Sequence, residues 1–389
     1  MTLIVEVTTT QPGNALERLL HTPLGLDIWE AKRERLVVRA SEAQIDRIEK
    51  MGYSVRQIET VQRHVSTFSA LAAPSGFHSA QEMENDLRSL AQSHPEIAEL
   101  REIGRSFENR PIWALRIGER RGSPRKMLFM GCHHAREWIS VEVPYLMAQE
   151  LVQQANKPQI AKWLSTGEIW IAPMVNPDGH EFSRAEPDPD HRLWRKNRRP
   201  NPDGSIGVDL NRNYGYMWGV LDVPTSSHVP SDATYVGPRA FSEPETQAIR
   251  NLIAAERFSA LITYHSFSQL ILYPWGYTAT PMGDVHDLNM LTQLVQTMAA
   301  KIQQVHGVNY VPEQSSSLYP TAGDTTDWSF GEYQIPSFTI ELRPAAAEEG
   351  GFILPADQIQ PTWEENRAAA FYLIEQMLMA AAAVAQAGP

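Results

Sequence analysis

The chain has 389 residues, 42% hydrophobic and 21% charged, the profile of a globular protein with a sizeable core and not of a disordered or fibrous one. Its 34 basic against 46 acidic residues give a formal charge of -12, so there is no global basic field to hold nucleic acid or anionic lipid. The lone Cys132 has no partner within the chain, which excludes a disulfide scaffold and a thiolate metal cage.

Residues 1–6, MTLIVE, reach an acid at Glu6 without a basic or long apolar stretch, so they do not read as a secretory signal. Residues 3–8 and 35–39 read as short strands. Ser41 and Gln44 then make a capping box, Ile45 and Ile48 share one helix face, and Gly52 is placed to stop that helix. Residues 55–58 offer a further strand. The first 63 residues therefore predict a small α+β domain, with no cluster of His, Cys or paired carboxylates to carry chemistry.

Residues 64–76, with Ser, Ala, Pro and Gly and no sustained periodicity, read as a linker. A second capping box, Ser79 with Glu82, opens a helix whose inner face is Met83, Leu87 and Leu90. The runs 126–131, 168–175, 260–265 and 336–342 are short and apolar, as strands buried on both faces are. Helices are expected at 137–155, at 242–256 opened by Ser242 and Glu245, and at 286–305. For residues 77–389 this alternation predicts an α/β domain: a mixed, mainly parallel central sheet with helices on both faces, its ligands gathered beyond the carboxyl ends of the strands. The longest apolar stretch near the C-terminus, 377–385, is far below the roughly 20 residues of a membrane span.

Chemistry-bearing residues stand at the ends of these runs. His134 and Glu137 follow one of them, although with 12 histidines in the chain on the order of one H-x-x-E arises by chance. His265 ends another. Two nitrogens and one carboxylate leave a fourth zinc position open for water, the arrangement of a catalytic site. Cys132, beside His134, reads as a small packing residue. In the loops 192–196 and 209–213, arginine next to asparagine can fork onto a substrate carboxylate, whereas Lys196, Arg198 and Arg199 read as a solvated basic loop. Glu341 ends a fourth run, and near a metal it is a general-base candidate.

Together GCHHAREWIS (131–140), NPDG (176–179), RLWRK (192–196), DLNRN (209–213), YHSFSQLILYPWGY (264–277), TDW (326–328) and FTIELR (338–343) resemble the zinc carboxypeptidases of the A/B type, in order and from about Gly76 to the C-terminus. The resemblance implies one zinc held by His134, Glu137 and His265, with Asp209 orienting the first histidine. It makes Glu341 the general base and Arg195 the group that polarises the scissile carbonyl. Asn211, Arg212 and Tyr319 fall on the grip for the substrate's terminal carboxylate, Arg136 on an accessory subsite, and Phe352 at the pocket mouth. Leu272, Gly276, Thr321, Asp324, Thr326 and Thr339 line the pocket for the last side chain. Thr326 stands at its decisive position and Asp324 supplies a carboxylate close by, a combination that resembles bacterial carboxypeptidase T and implies acceptance of both apolar and basic ends.

In such enzymes the expected partners are peptide and protein C-termini, not nucleic acid or membrane, and the chain is expected to be a monomer. The N-terminal domain falls where relatives carry an inhibitory propeptide, with an activating protease expected to cut in the 56–76 region, where Arg56 and Arg63 lie. The resemblance also implies an extracellular protein, with cytoplasmic work as the alternative because no signal is visible. A zinc acylase of N-acyl amino acids, or a degenerate peptide-binding module, are the competing readings.

Overall fold

A computed structural model describes residues 2–386 apart from 11–14, 21, 23, 33, 70–75, 120, 186–187, 221–222 and 224. The first unit comprises β1 (Thr2–Thr8), α1 (Ala15–Leu20), β2 (Asp27–Lys32), β3 (Arg35–Ser41), α2 (Glu42–Lys50), β4 (Ser54–Thr60) and α3 (Val61–Ser69). Its four strands form an antiparallel sheet in the order β2-β3-β1-β4. Because side chains alternate across a strand, both faces can be apolar and serve different partners. Leu3, Val5, Val7, Leu36 and Val38 pack on Leu16, Leu19 and Ile48 of α1 and α2. On the opposite face Ile4, Trp29 and Val37 join Val61 and Val65 of α3 against Leu193, Phe267, Phe352 and Ile353 of the larger unit.

The Ser41–Gln44 capping box forms as expected, while β2, which mixes Ile28, Trp29 and Ala31 with charged residues, was not anticipated. The expected linker is shortened from its N-terminal side. Helix α3 carries the chain to Ser69, because Val61 and Val65 have an apolar surface to cover and His64 is buried between Glu59 Oε1 at 2.7 Å and the Gly350 carbonyl at 3.1 Å. Residues 70–75 of that linker lie outside the described residues. Arg56 stands in β4 and Arg63 in α3.

The larger unit runs α4 (Ala80–Ser93), β5 (Ala98–Arg105), β6 (Pro111–Ile117), β7 (Lys126–Gly131), α5 (Ile139–Gln153), α6 (Pro158–Thr166), β8 (Glu168–Ala172), α7 (Pro177–Ala185), α8 (Pro189–Arg192), α9 (Pro244–Glu256), β9 (Ala260–Ser266), β10 (Leu270–Tyr273), α10 (Val285–His306), β11 (Val311–Gln314), α11 (Thr325–Tyr333), β12 (Ser337–Leu342) and α12 (Ile359–Gln386). Its sheet has the order β11-β10-β12-β9-β7-β8-β6-β5. The centre, β12-β9-β7-β8, is parallel, and antiparallel joints appear outward at β10–β12, β6–β8 and β5–β6. Strands β7, β8 and β9 are buried along their whole length, covered on one face by α4, α5, α10 and α12 and on the other by α9 and α11.

One expected cap is absent. Helix α9 starts at Pro244 after Glu243, with no side-chain cap bond. Ser242 donates to Glu243 Oε1 at 2.6 Å, and Glu245 is engaged instead by the Phe107 N–H at 2.9 Å and Asn197 at 3.2 Å. Among the described residues no helix is long and apolar enough to cross a membrane.

Candidate active site

The carboxyl ends of β7, β9 and β12 converge on one place. A Cβ at Gly131 would lie 1.8 Å from the Ser140 carbonyl oxygen, so only glycine lets the chain leave β7 so close to α5. Cys132 follows in the left-handed region at φ 59°. Its N–H donates to Ser140 Oγ at 3.0 Å, and that hydroxyl donates to the Glu137 carbonyl at 2.6 Å. This tight turn aims His134 and Glu137 at the end of β9, where His265 stands.

The three side chains are buried and offer ligand atoms within 4.8 Å of one another; among the described residues they form the one such His/Cys/Asp/Glu group able to hold a metal ion. Both histidines present Nδ1 to the same carboxylate: His134 to Oε1 at 2.8 Å and His265 to Oε2 at 3.0 Å. Their remote nitrogens have separate partners, Asp209 Oδ1 at 3.1 Å for His134 and Thr263 Oγ1 at 3.3 Å for His265. Such outer contacts fix the tautomer and orientation a metal-binding imidazole needs. Burial works against the Glu137 charge, but the adjacent imidazoles hold its carboxyl far below the usual carboxylate range.

Asp209 is the hub of the second layer. Its Oδ1 also caps the 3-10 turn Leu210–Arg212 by accepting the Asn211 N–H at 3.0 Å, and its Oδ2 accepts Arg195 Nε at 2.9 Å and Nη2 at 2.9 Å. Burial opposes ionisation, yet Arg195 and His134 keep this carboxyl well below its ordinary value. Arg212 is held through Nε to the Thr225 carbonyl at 2.7 Å and Nη1 to the Asn211 carbonyl at 2.8 Å. Glu341 neighbours His265 in the parallel β9–β12 register. Burial pushes its carboxyl up to about 8 against the opposing charge of His265, the range of a group that can exchange a proton near neutrality.

A cavity of about 40 Å³ is lined by His134, Arg195, Asn211, Arg212, His265, Leu272, Ser315, Leu318, Tyr319, Thr321, Asp324, Thr339 and Glu341. Most of the residues singled out from sequence are thus brought together, joined by Ser315 and Leu318, which carried no motif signal. Six of the expected site residues do not line it: Glu137 and Asp209 touch its histidines from behind, Phe352 packs against Trp29 of the first unit and not at a pocket mouth, and the others are Arg136, Thr326 and Gly276. Arg136 lines a separate cavity of about 420 Å³ with Asp27, Arg39, Arg195 and Lys196. Thr326 does not line the pocket: its hydroxyl turns to Asp324 Oδ1 at 2.8 Å. Gly276 stands directly against two residues that do line the pocket, since a Cβ there would come within 2.6 Å of Thr321 Oγ1 and 3.0 Å of Asp324 Oδ2.

Asp324 caps α11, its Oδ1 accepting both the Thr326 and Asp327 N–H at 2.9 Å. Among the described residues its Oδ2 meets only the Thr321 hydroxyl, at 3.5 Å, and it remains available to the cavity. The solvated reading of 196–199 fails. Lys196 is buried with Nζ donating to the Pro230 carbonyl at 2.7 Å and is pushed down to about 8 by that burial. Arg199 pairs with the buried Glu243 at 2.6 Å, and Arg198 lies 3.6 Å from the centre of the Phe182 ring.

Residues 83–369 match the model of the zinc carboxypeptidase family. The chain is 35% identical to carboxypeptidase B of Astacus astacus over 300 residues, 75% of this chain and 94% of that one. It is 32% identical to metallocarboxypeptidase A of Arthroderma otae over 403 residues, 95% and 92% of the two chains. The carboxypeptidase A structure of Helicoverpa armigera superposes with a TM-score of 0.85 at 25% identity, covering 98% of each chain. The chain belongs to the zinc carboxypeptidase family and is a metallocarboxypeptidase. These relatives favour neither the acylase nor the binding-module reading.

Proposed function

We propose that this chain is a single-zinc exopeptidase that removes residues from free peptide C-termini, with the ion held by His134, Glu137 and His265. The observation that carries this reading is the convergence of two Nδ1 atoms on one buried carboxylate, beside the grip residues Asn211 and Arg212 in one cavity. Bound there, zinc supplies Lewis acidity, lowering the pKa of a water and polarising the peptide carbonyl.

The rest is done by the protein. Glu341 takes the proton from the attacking water and delivers it to the leaving amine. Arg195, immobilised by Asp209, faces the oxygen on which charge develops, so its field needs no reorganisation during reaction. Asn211, Arg212 and Tyr319 hold the terminal carboxylate, and that positioning selects the last bond and no other. With Asp324 Oδ2 at its base and Leu272 on its wall, the pocket suits both basic and apolar ends.

The N-terminal unit acts as an inhibitory cover. Asp27 binds Arg136, Trp29 packs edge-on to Phe352 with ring centres 5.2 Å apart, and Tyr319 packs against the unit's core. Cleavage in the 56–76 region releases the cleft. The enzyme acts as a monomer outside the cell. The decisive experiment is mass spectrometry of free-ended and C-terminally amidated peptides incubated with the intact chain and with one beginning at Gly76, with and without chelator. Stepwise loss from free ends only, abolished by chelator and faster for the shorter chain, is expected. Shortening of amidated peptides or indifference to chelator overturns the mechanism; equal rates for the two chains overturn the cover.

A further inference from the structure

His133 precedes the first metal-facing histidine and belongs to neither the metal set nor the cavity. It is fully buried, and its ring lies nearly parallel to that of His265, with centres 5.6 Å apart at 17°. Its Nδ1 is 3.2 Å from Thr263 Oγ1, the same hydroxyl that meets His265 Nε2 at 3.3 Å. Its Nε2 is 2.8 Å from the Tyr214 hydroxyl and 3.2 Å from Thr325 Oγ1. Thr325 in turn donates to Asn211 Oδ1 from its hydroxyl at 2.8 Å and its N–H at 3.0 Å. An unbroken buried line of polar groups therefore joins His265 to Asn211.

The direction of every bond in this line follows from its first member. With Nδ1 of His265 committed to the metal set, its proton sits on Nε2 and is donated to Thr263. The single hydroxyl proton of Thr263 goes on to His133 Nδ1. His133 must then carry its own proton on Nε2, facing Tyr214 and Thr325. The Thr325 proton is left for Asn211 Oδ1, and with that oxygen doubly engaged the Asn211 amide presents its NH₂ to the cavity, where a carboxylate needs donors. A reversed tautomer of His133 would face one donor with another at Thr263.

We propose that His133 is a positioning residue that couples the metal set to the carboxylate grip, orienting the His265 ring and the Asn211 amide from one side chain. This rests on the zinc and substrate assignments proposed above. It differs from a packing role, which an apolar ring of similar size would fill.

The test uses the full chain carrying His133→Phe, His133→Gln, Thr263→Val or Thr325→Val, with zinc affinity read by competition against a chromophoric chelator. KM and kcat for a free-ended peptide are read on the active enzyme obtained from each. His133→Phe is expected to weaken zinc about 10–100-fold, the range for outer partners of metal ligands, and to raise KM several-fold more than it lowers kcat. His133→Gln, which keeps an acceptor and a donor, recovers part of both. Thr263→Val, which does not touch Asn211, must raise KM as well. Unchanged KM in Thr263→Val, or unchanged zinc affinity in His133→Phe at an unchanged melting temperature, overturns the coupling. If His133→Phe does not fold, the two valine variants decide in the same way. Wild-type protein that takes up no zinc, or is indifferent to a free terminus, would instead remove the underlying assignment before any variant is compared.

Discussion

Asp27 and Arg136, from different units of the chain, meet through two parallel N–H···O bonds of 2.7 Å each. The guanidinium also stacks 3.8 Å from the centre of the Phe352 ring. Burial would raise the Asp27 carboxyl, but the charge of Arg136 lowers it, so the carboxylate is ionised at neutral pH. Planar two-point pairing is the strong form of this contact. Replacing Asp27 by Ala leaves a buried cation unpaired, and if the N-terminal unit is the cover proposed above, peptidase activity of the uncut chain is expected to rise roughly tenfold. Activity assays on the uncut variant check this; an unchanged rate would mean that the apolar contacts of Trp29 and Ile4 hold the units together alone.

Glu341 carries the proton transfers in the proposed mechanism. Glu341→Gln keeps size and polarity and removes basicity, so kcat is expected to fall by roughly 10²–10⁴ while zinc content stays near one per chain. Wild-type activity should rise with pH as this raised carboxyl ionises, and the residual activity of the variant should not follow that limb. A variant retaining more than a tenth of the wild-type rate would assign the proton to another group.

Asp324 has one oxygen spent on the helix cap and one left for the cavity. Asp324→Ala is expected to lower kcat/KM for Lys-ended peptides about 10–100-fold relative to Phe-ended ones, the worth of a charge-assisted hydrogen bond. Part of the cap is lost at the same time, costing about 1 kcal/mol of stability. A Lys-to-Phe ratio equal to that of wild type would sink this view of the pocket.

His78 opens the larger unit pinned between carboxylates, with Nδ1 2.7 Å from Glu142 Oε2 and Nε2 3.2 Å from Asp86 Oδ2. Burial disfavours its charge, but Glu142 and then Asp86 outweigh that and raise its pKa above 6.5. A raised pKa means stabilisation fully present below the unfolded value and lost as pH climbs through the folded one. Melting temperatures of wild type and His78→Gln should therefore differ most below the ordinary histidine pKa and converge as pH climbs above it through the raised one. A gap independent of pH would show that the uncharged contacts carry the anchor.

The central strands and the reactive residues at their ends were legible because both leave local marks: short apolar runs for the first, paired His, Glu and Arg beside them for the second. The periphery was not. Strand β5 mixes Glu99, Arg101 and Glu102 with few apolar residues and owes its form to pairing with β6, while α12 ends in alanines that give no face to read. Lys196 looked solvated because nothing in its neighbourhood of sequence shows that Pro230 will supply a carbonyl. Thr326 was misplaced for a related reason: alignment assigns a position to a pocket, but the capping carboxylate of Asp324 decides where the hydroxyl points.

The parallel register that sets Glu341 beside His265 also ties catalysis to correct assembly of the sheet. Sliding β12 by one residue would turn Glu341 to the opposite face and bring Ile340 or Leu342 to the reacting side. If Glu341 is the base, a chain paired in that shifted register is expected to be inactive, so turnover reports the alignment of the two strands at the centre of the fold.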